Sequence, residues 1–344
     1  MKILYGVQAT GNGHISRSRE IIRCLRQKGH YVFVIFSGRN PESLWDVDDF
    51  MPYKIYKGLT FSTHRGRIKY FKTVYGLDLK RFFSDISSFD ASGYDMAISD
   101  FEPVTSRIAL KQGLPSIGIG HQYAFYNNIP TEGSNPISRY IIKHFAPVDY
   151  PVGLHWHHFN NAILPPVVPL FDKKEISFIQ DKILVYLPFE EPEDIMRLLA
   201  PFKNYDFFVY HKFDRASING NIRLCPFSRH GFINDLKECS GVITNAGFEL
   251  VSEALTIGKK ILVKPLSGQM EQLSNSKAIK MLTLGYVMKK LDLSILEDFL
   301  QAPQAEPINY PYVAEILAKA IDNGDWVDLK NIVRDSWSCV NISY

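Results

Sequence analysis

Apolar runs and turn-forming residues alternate along this chain in a strand and helix rhythm. Residues 2–7 (KILYGV) read as a buried strand, residues 8–14 as a glycine-rich turn, and residues 15–28 as a helix carrying Ile15, Ile21, Ile22 and Leu25 near one face. Gly29 stops that helix and a second apolar run, residues 31–36, follows at once. Strand, helix and strand in such quick succession form the unit of a parallel sheet flanked by helices. Further strands are expected at 96–99 and 116–119, with a helix over 104–112 between them that ends at Gly113 and Pro115.

The segment 164–169 (LPPVVP) cannot lie in a central strand and marks a linker. Beyond it the pattern restarts, with strands expected at 183–187, 206–210 and 222–225 and helices at 193–202 and 232–239. A strand at 242–244, a helix over 248–257 and a strand at 261–263 complete another unit. The expected fold class is therefore α/β, with two Rossmann-like domains whose parallel sheets face an interdomain cleft. Residues 1–163 form the first domain and 164–325 the second. Residues 326–344 read as a terminal helix, with Trp326, Leu329, Ile332 and Val333 on one side, packing back onto the first domain.

Composition narrows the possible functions. A hydrophobic share of 46% over 344 residues is ample for two packed cores and excludes disorder and small disulfide scaffolds. Lys and Arg number 39 against 36 Asp and Glu, a net charge of +3, so no nonspecific coating of nucleic acid is expected. The four cysteines, Cys24, Cys225, Cys239 and Cys339, form no C-x-x-C pair and fit reduced thiols in a cytosolic protein. No apolar stretch has spanning length, and the N-terminal run is too short for a signal sequence, so a cytoplasmic location is expected.

The most informative segment is 242–275 (VITNAGFELVSEALTIGKKILVKPLSGQMEQLSN). A strand delivers Asn245, Ala246 and Gly247 to the first turn of a helix, where small residues allow close approach and free N–H groups can hold a phosphate. Glu253, further along that helix, has the acceptor capacity to bind ribose hydroxyls. After Gly258 and the strand KKILVKP, a loop offers Gln269, Glu271 and Gln272 to the hydroxyls of a sugar.

N-A-G-F-x-x-x-x-E, a Gly five positions on, and P-L-x-G-x-x-E-Q-x-x-N resemble the nucleotide-sugar motif of inverting GT-B glycosyltransferases. That superfamily includes the UDP-sugar transferases and the lipid-linked N-acetylglucosaminyl transferase of peptidoglycan synthesis, and this chain resembles a prokaryotic branch of it. The resemblance implies that Asn245 and the amides of Gly247 and Phe248 meet a diphosphate. It places Glu253 on the ribose, Glu271 with Gln272 on the donor sugar, and Phe227, eighteen positions before Asn245, against the base. Where the plant-type motif has His, this chain has Asn245, which leaves diphosphate charge to amides and helix dipole.

The loop Gly11-Asn12-Gly13-His14 lacks the third glycine of a dinucleotide fingerprint and the G-K-[ST] of a P-loop. It resembles the transferase loop whose glycines, here Gly11 and Gly13, approach the donor phosphates and whose His faces the acceptor. A neutral His at a helix N-terminus suits removal of a hydroxyl proton. Asp100, at the end of a strand, is the carboxylate to orient His14 or to act as base itself, with Glu102 next. Ser16 and Arg17 point to donor phosphates, to an anionic acceptor or to solvent, and the role of His121 stays open.

No metal or other cofactor is expected, the UDP-sugar being a co-substrate. His155, His157 and His158 lack a carboxylate or Cys partner and read as hinge or surface residues. Residues 65–83 interleave cations with rings, among them Arg65, Arg67, Lys69, Tyr70, Phe71 and Lys72. That mixture suits an anionic membrane surface, and a helix with a solvated basic face equally, with nucleic acid a distant third. Residues 137–145 add Ile141, Ile142 and Phe145 beside Arg139 and Lys143.

The expected function is metal-independent, inverting hexosyl transfer from a UDP-sugar to an acceptor hydroxyl. A lipid or lipid-linked acceptor would put the protein on the cytosolic face of a membrane. A nucleotide-sugar 2-epimerase on the same fold and a non-catalytic nucleotide-sugar-binding protein are the rivals. The sequence assigns neither the sugar nor an oligomeric state.

Overall fold

The computed structural model describes residues 1–44, 46–59, 63–64, 67–68 and 78–342. The first sheet contains β1 (Lys2–Gln8), β2 (Tyr31–Ser37) and β3 (Tyr53–Tyr56), while β4 (Thr63–His64) pairs only with β5 (Arg67–Ile68). It continues with β6 (Met96–Asp100), β7 (Ser116–Gly120), β8 (Tyr150–Leu154) and β9 (Ile163–Leu164). Its strand order is β3-β2-β1-β6-β7-β8-β9, and every pair is parallel.

The second sheet contains β10 (Ile179–Tyr186), β11 (Asp206–Tyr210), β12 (Ser217–Asn219) and β13 (Ile222–Cys225), then β14 (Cys239–Thr244), β15 (Lys260–Val263) and β16 (Tyr286–Val287). The order is β12-β13-β11-β10-β14-β15-β16, with only the β12–β13 pair antiparallel. Strand order reverses beside β1 in one sheet and beside β10 in the other. Such reversals open a crevice at the carboxyl ends of the strands, where open α/β sheets take their ligands.

Helix α1 (Asn12–Gln27) follows β1, and α2 (Leu79–Ser88), α3 (Pro103–Gln112), α4 (His121–Ala124) and α5 (Pro136–His144) complete the first layer set. The second sheet carries α6 (Pro192–Leu199), α7 (Arg229–Glu238), α8 (Phe248–Thr256), α9 (Met270–Met281) and α10 (Leu293–Gln301). The chain ends with α11 (Val313–Asn323) and α12 (Lys330–Trp337). Two boundaries correct the expectation. Helix α1 starts at Asn12 with Gly11 as its N-cap, so His14 lies inside the first turn. The polar segment expected as a loop is the start of α9, with Gln269 at its N-cap.

The domains meet through an apolar seam. Ile15 and Ile22 of α1, Trp156, Phe248 and Val251 of α8, Leu317 of α11 and Val333 of α12 belong to one continuous core. Trp326 packs edge-on to Tyr150 at 5.0 Å, and the Trp337 Nε1–H donates to the Ile163 carbonyl at 2.6 Å. Trp156 is fully buried and its Nε1–H donates to Ser252 Oγ of α8 at 2.8 Å. Trp156→Ala removes a large side chain at the seam and leaves the buried Ser252 without that donor. Denaturant unfolding is expected to show a loss of about 3–5 kcal/mol.

Candidate functional site

On the first-domain side, β1 and β6 are neighbours, so the start of α1 and the end of β6 face each other. Phe101 takes a left-handed φ of 49°, turning the chain so sharply that Asp100 faces α1 while Glu102 caps α3. A bulky residue in that region is strained, and such strain concentrates at functional sites. His14 Nδ1 lies 2.9 Å from Asp100 Oδ1. A carboxylate accepts, so Nδ1 carries a proton, and in the neutral ring Nε2 is then the bare nitrogen.

Asp100 is fully buried and also accepts from Arg17 Nε at 3.1 Å, from Arg17 Nη2 and from Ser18 Oγ at 2.8 Å. Burial alone would raise its pKa, but the charge of Arg17 and the contact with His14 outweigh it and hold Asp100 below the ordinary carboxylate value. With both oxygens taken, Asp100 is placed to orient His14 rather than to meet an acceptor itself. Glu102 is more fully committed still. It accepts from Ser37 Oγ and from the amides of Val104 and Thr105, and burial raises its pKa. That makes it a helix cap, which corrects its reading as the next candidate base.

On the second-domain side, β14 ends at Thr244 and α8 opens at Phe248 with no side chain capping it. Ala246 is buried in the turn, and the space in front of Gly247 is open. Two details differ from expectation. The Gly247 amide donates to the Asn245 carbonyl at 2.7 Å, and Asn245 Nδ2 donates to the Lys264 carbonyl at 2.9 Å. Asn245 thus presents only its Oδ1, which is buried and has no partner. The Gly247 amide is thus engaged, and the amides that follow it open α8 without a side-chain cap.

Glu253, one turn further on, faces the other domain and accepts from Ser16 Oγ at 2.8 Å. Burial pushes its pKa up to about 7, with Ser16 and Arg229 pulling the other way. Phe227 precedes the N-cap of α7 and stands edge-on to Tyr186 at 6.1 Å. Tyr186 in turn bonds Asn12, which accepts from Arg39 Nη1 at 3.0 Å. Gly11 has open space before it. Gly13 is held close to the second domain, since a Cβ there would come within 2.7 Å of Glu249 Cγ.

The sugar-reading candidates divide. Glu271 Oε2 accepts from Gln122 Nε2 of the first domain at 3.2 Å. Gln272 Oε1 is taken by the Leu266 amide at 2.9 Å, so that group holds its own loop. Gln269 Oε1 and Gln122 Oε1 are buried without partners. An added Cβ on Gly120 would lie 3.3 Å from Asp100 Oδ1 and 3.4 Å from both Arg17 Nη2 and Gln122 Oε1, which brings Gln122 beside the His14 pair. Orphaned acceptors suit a ligand rich in hydroxyl donors. Gln122 went unnoticed in the sequence, although its place just past β7 was a usable signal. Glu249, which pairs with Arg17, was passed over inside the motif itself.

His121 is buried and stacks on Phe248 at 4.1 Å, with its ring nitrogens facing the Leu154 carbonyl and Asn275 Oδ1. It is part of the seam, as are the buried His155 and Trp156. Arg65, Lys69, Tyr70, Phe71 and Lys72 lie outside the described residues. Arg67 is described only as part of β5. A groove of about 640 Å³ runs along α7 from Asp46 and Arg229 to Lys237 and Glu238, and neither His14 nor Asp100 lines it.

Comparison with known proteins decides the family. The model of glycosyl transferase family 1 matches residues 1–303. The chain belongs to that family. No curated protein matches it in sequence. Among solved structures, MurG of Acinetobacter baumannii is 14% identical with a TM-score of 0.54, covering 94% of this chain and 99% of that one. The glycosyltransferase SsfS6 of Streptomyces sp. SF2575, complexed with thymidine diphosphate, is 12% identical with a TM-score of 0.56 and coverages of 99% and 96%. The spinosyn rhamnosyltransferase SpnG is 12% identical with a TM-score of 0.57 and coverages of 98% and 97%. These likenesses show the fold. The protein is a GT-B glycosyltransferase of family 1, with two mostly parallel sheets.

Proposed function

We propose that this glycosyltransferase moves a hexose from a UDP-sugar to an acceptor hydroxyl with inversion at the anomeric carbon and without a metal ion. The observation that carries the reading is the His14–Asp100 pair at the end of β6, facing Glu253 and the uncapped start of α8 in the other domain. The diphosphate takes the amides from Phe248 onward and the dipole of α8, which also meet the charge that develops on the leaving group. Glu253 accepts from the ribose hydroxyls, and Phe227 stacks on the base. Glu271, Gln269 and Gln122 take the sugar hydroxyls.

His14 Nε2 removes the proton of the acceptor hydroxyl as its oxygen bonds to the anomeric carbon from the face opposite the diphosphate. The carbon–oxygen bond to the diphosphate breaks, its electron pair leaves with UDP, and the configuration inverts. Asp100 is a positioning residue that fixes the tautomer of His14 and balances its charge once protonated. Thermal-shift screening against UDP, GDP and dTDP sugars is expected to show the largest stabilisation with a UDP-sugar. Release of UDP with an altered sugar and no acceptor would overturn the transfer reading in favour of epimerisation.

For the acceptor, the exposed face of α2, α3 and α5 supports a lipid or lipid-linked molecule. Ile137 and Tyr140 of α5 are 63% and 67% exposed and stand among Arg139 and Lys143. Phe83 of α2 is also exposed, beside Lys80 and Arg81. Arg107 bonds the His144 carbonyl and Lys111 bonds Ser87, so the three helices lie side by side. Rings among cations suit an anionic bilayer surface. Among the described residues no helix is long and apolar enough to cross a membrane. Sedimentation with phosphatidylglycerol vesicles is expected to carry the protein down, less so at high salt or with Tyr140→Glu. Equal recovery with neutral phosphatidylcholine vesicles would count against this face.

A further inference from the structure

Arg17 is 2% exposed and touches His14, Asp100 and Glu249, the last of which takes no part in the transfer step. Its Nε and Nη2 donate to the two oxygens of Asp100, its Nη1 donates to Glu249 of α8, and Nη2 lies 3.1 Å from His14 Nδ1. Glu249 is 7% exposed and belongs to the other domain. A second contact, Ser16 to Glu253, joins the same two helices one turn along. We propose that Arg17 is a positioning residue and, with Glu249, an interdomain latch that orders the His14–Asp100 pair only when the cleft is closed.

The argument starts from charge. Apart from the second domain, Arg17 and Asp100 cancel as an ion pair. Closure brings in the Glu249 carboxylate, so the buried group of Arg17, Asp100 and Glu249 carries one net negative charge. A proton received by His14 neutralises it. The proton taken from the acceptor is thus balanced by a carboxylate that arrives from the donor-binding domain.

Burying Glu249 without Arg17 would leave an unpaired charge in the seam, so the latch also opposes closure around the wrong contacts. The other charged or titratable groups near this cluster are Tyr5 of β1, Glu20 of α1, His121 of α4, Arg229 of α7, Glu253 of α8 and Glu271 of α9. Geometry adds a second constraint, because a guanidinium can hold Asp100 through two nitrogens while a third reaches Glu249. An ammonium cannot.

The inference rests on the transferase reading, and the test separates the two. Glu249→Gln keeps the shape and removes the charge. It is expected to lower kcat on the order of tenfold to a hundredfold, in line with the cost of slight misplacement, without raising KM for the UDP-sugar. Arg17→Lys is expected to show the same pattern and only partial activity. Small-angle scattering of the free protein supplies a readout apart from turnover, and both variants are expected to give a larger radius of gyration than the wild type.

If Glu249→Gln raises KM instead, Glu249 serves the donor directly and the latch is wrong. If both variants keep wild-type kcat and dimensions, the latch is likewise wrong while transfer stands. If the wild type binds no nucleotide sugar, the transferase reading fails first, and the scattering comparison still decides whether Arg17 and Glu249 hold the domains together.

Discussion

His14→Ala lowers kcat on the order of 10²–10⁴-fold while leaving the donor KM close to wild type. The magnitude is that of a positioned general base, and the asymmetry follows from where the side chain acts. Nε2 meets the acceptor proton only as the new bond forms, so its loss costs transition-state stabilisation and little donor binding. Asp100→Asn is the companion variant. An amide can present its NH₂ to Nδ1 and favour the wrong tautomer, and the charge opposite Arg17 is lost as well. Initial-rate kinetics on both variants with one UDP-sugar check this. Equal losses in kcat and donor affinity for His14→Ala would mean that the residue holds the donor instead.

The second large effect is on binding. Glu253→Ala is expected to weaken UDP about 10–100-fold, because hydrogen bonds to a charged acceptor contribute about 1.5–3 kcal/mol each. Its pH dependence is distinctive. Burial raises the carboxyl from its ordinary 4.5 to about 7, so below neutral pH the free protein carries a proton there. Ribose hydroxyls favour the ionised form, so UDP affinity falls as pH drops below about 7.

For stability the sign is opposite. With the folded value above the unfolded one, this group favours the folded state most below 4.5, and that share is lost as pH rises through 7. Glu253→Gln should flatten both dependences. Comparison with that variant also removes the contribution of the terminal phosphate of UDP, which titrates near 6. Calorimetric titrations and Tm across pH 5–8 check the pair. An unchanged UDP affinity in Glu253→Ala would remove the ribose role.

Much of the fold was legible because the sheets are parallel and buried. Their strands read as short apolar runs such as 31–36 and 206–210, and α1, α3, α8 and α11 each announce their end with a glycine. Strands off this pattern were harder to see. β8 carries Pro151, and β3 is a short edge strand with alternating exposure.

In the site, His14 and Asp100 were legible because both stand where a strand meets a helix. The direction of the Asn245 amide was not, since it depends on the carbonyl of Lys264, which follows β15 and belongs to neither block of the motif. Gln122 and Glu249 escaped notice because their meaning lies in partners on the opposite domain, 149 and 232 residues away. Sequence spacing cannot report such a meeting.

The measurement that bears most directly on the cradle at the start of α8 is amide hydrogen exchange with and without UDP. The amides from Phe248 onward have no side-chain cap, so a diphosphate seated there should slow exchange in peptides covering residues 244–251. The peptide containing His14, which faces the seated diphosphate across the seam, should slow as well. Protection confined to α7 and the groove from Asp46 to Glu238, with residues 244–251 unchanged, would contradict the account.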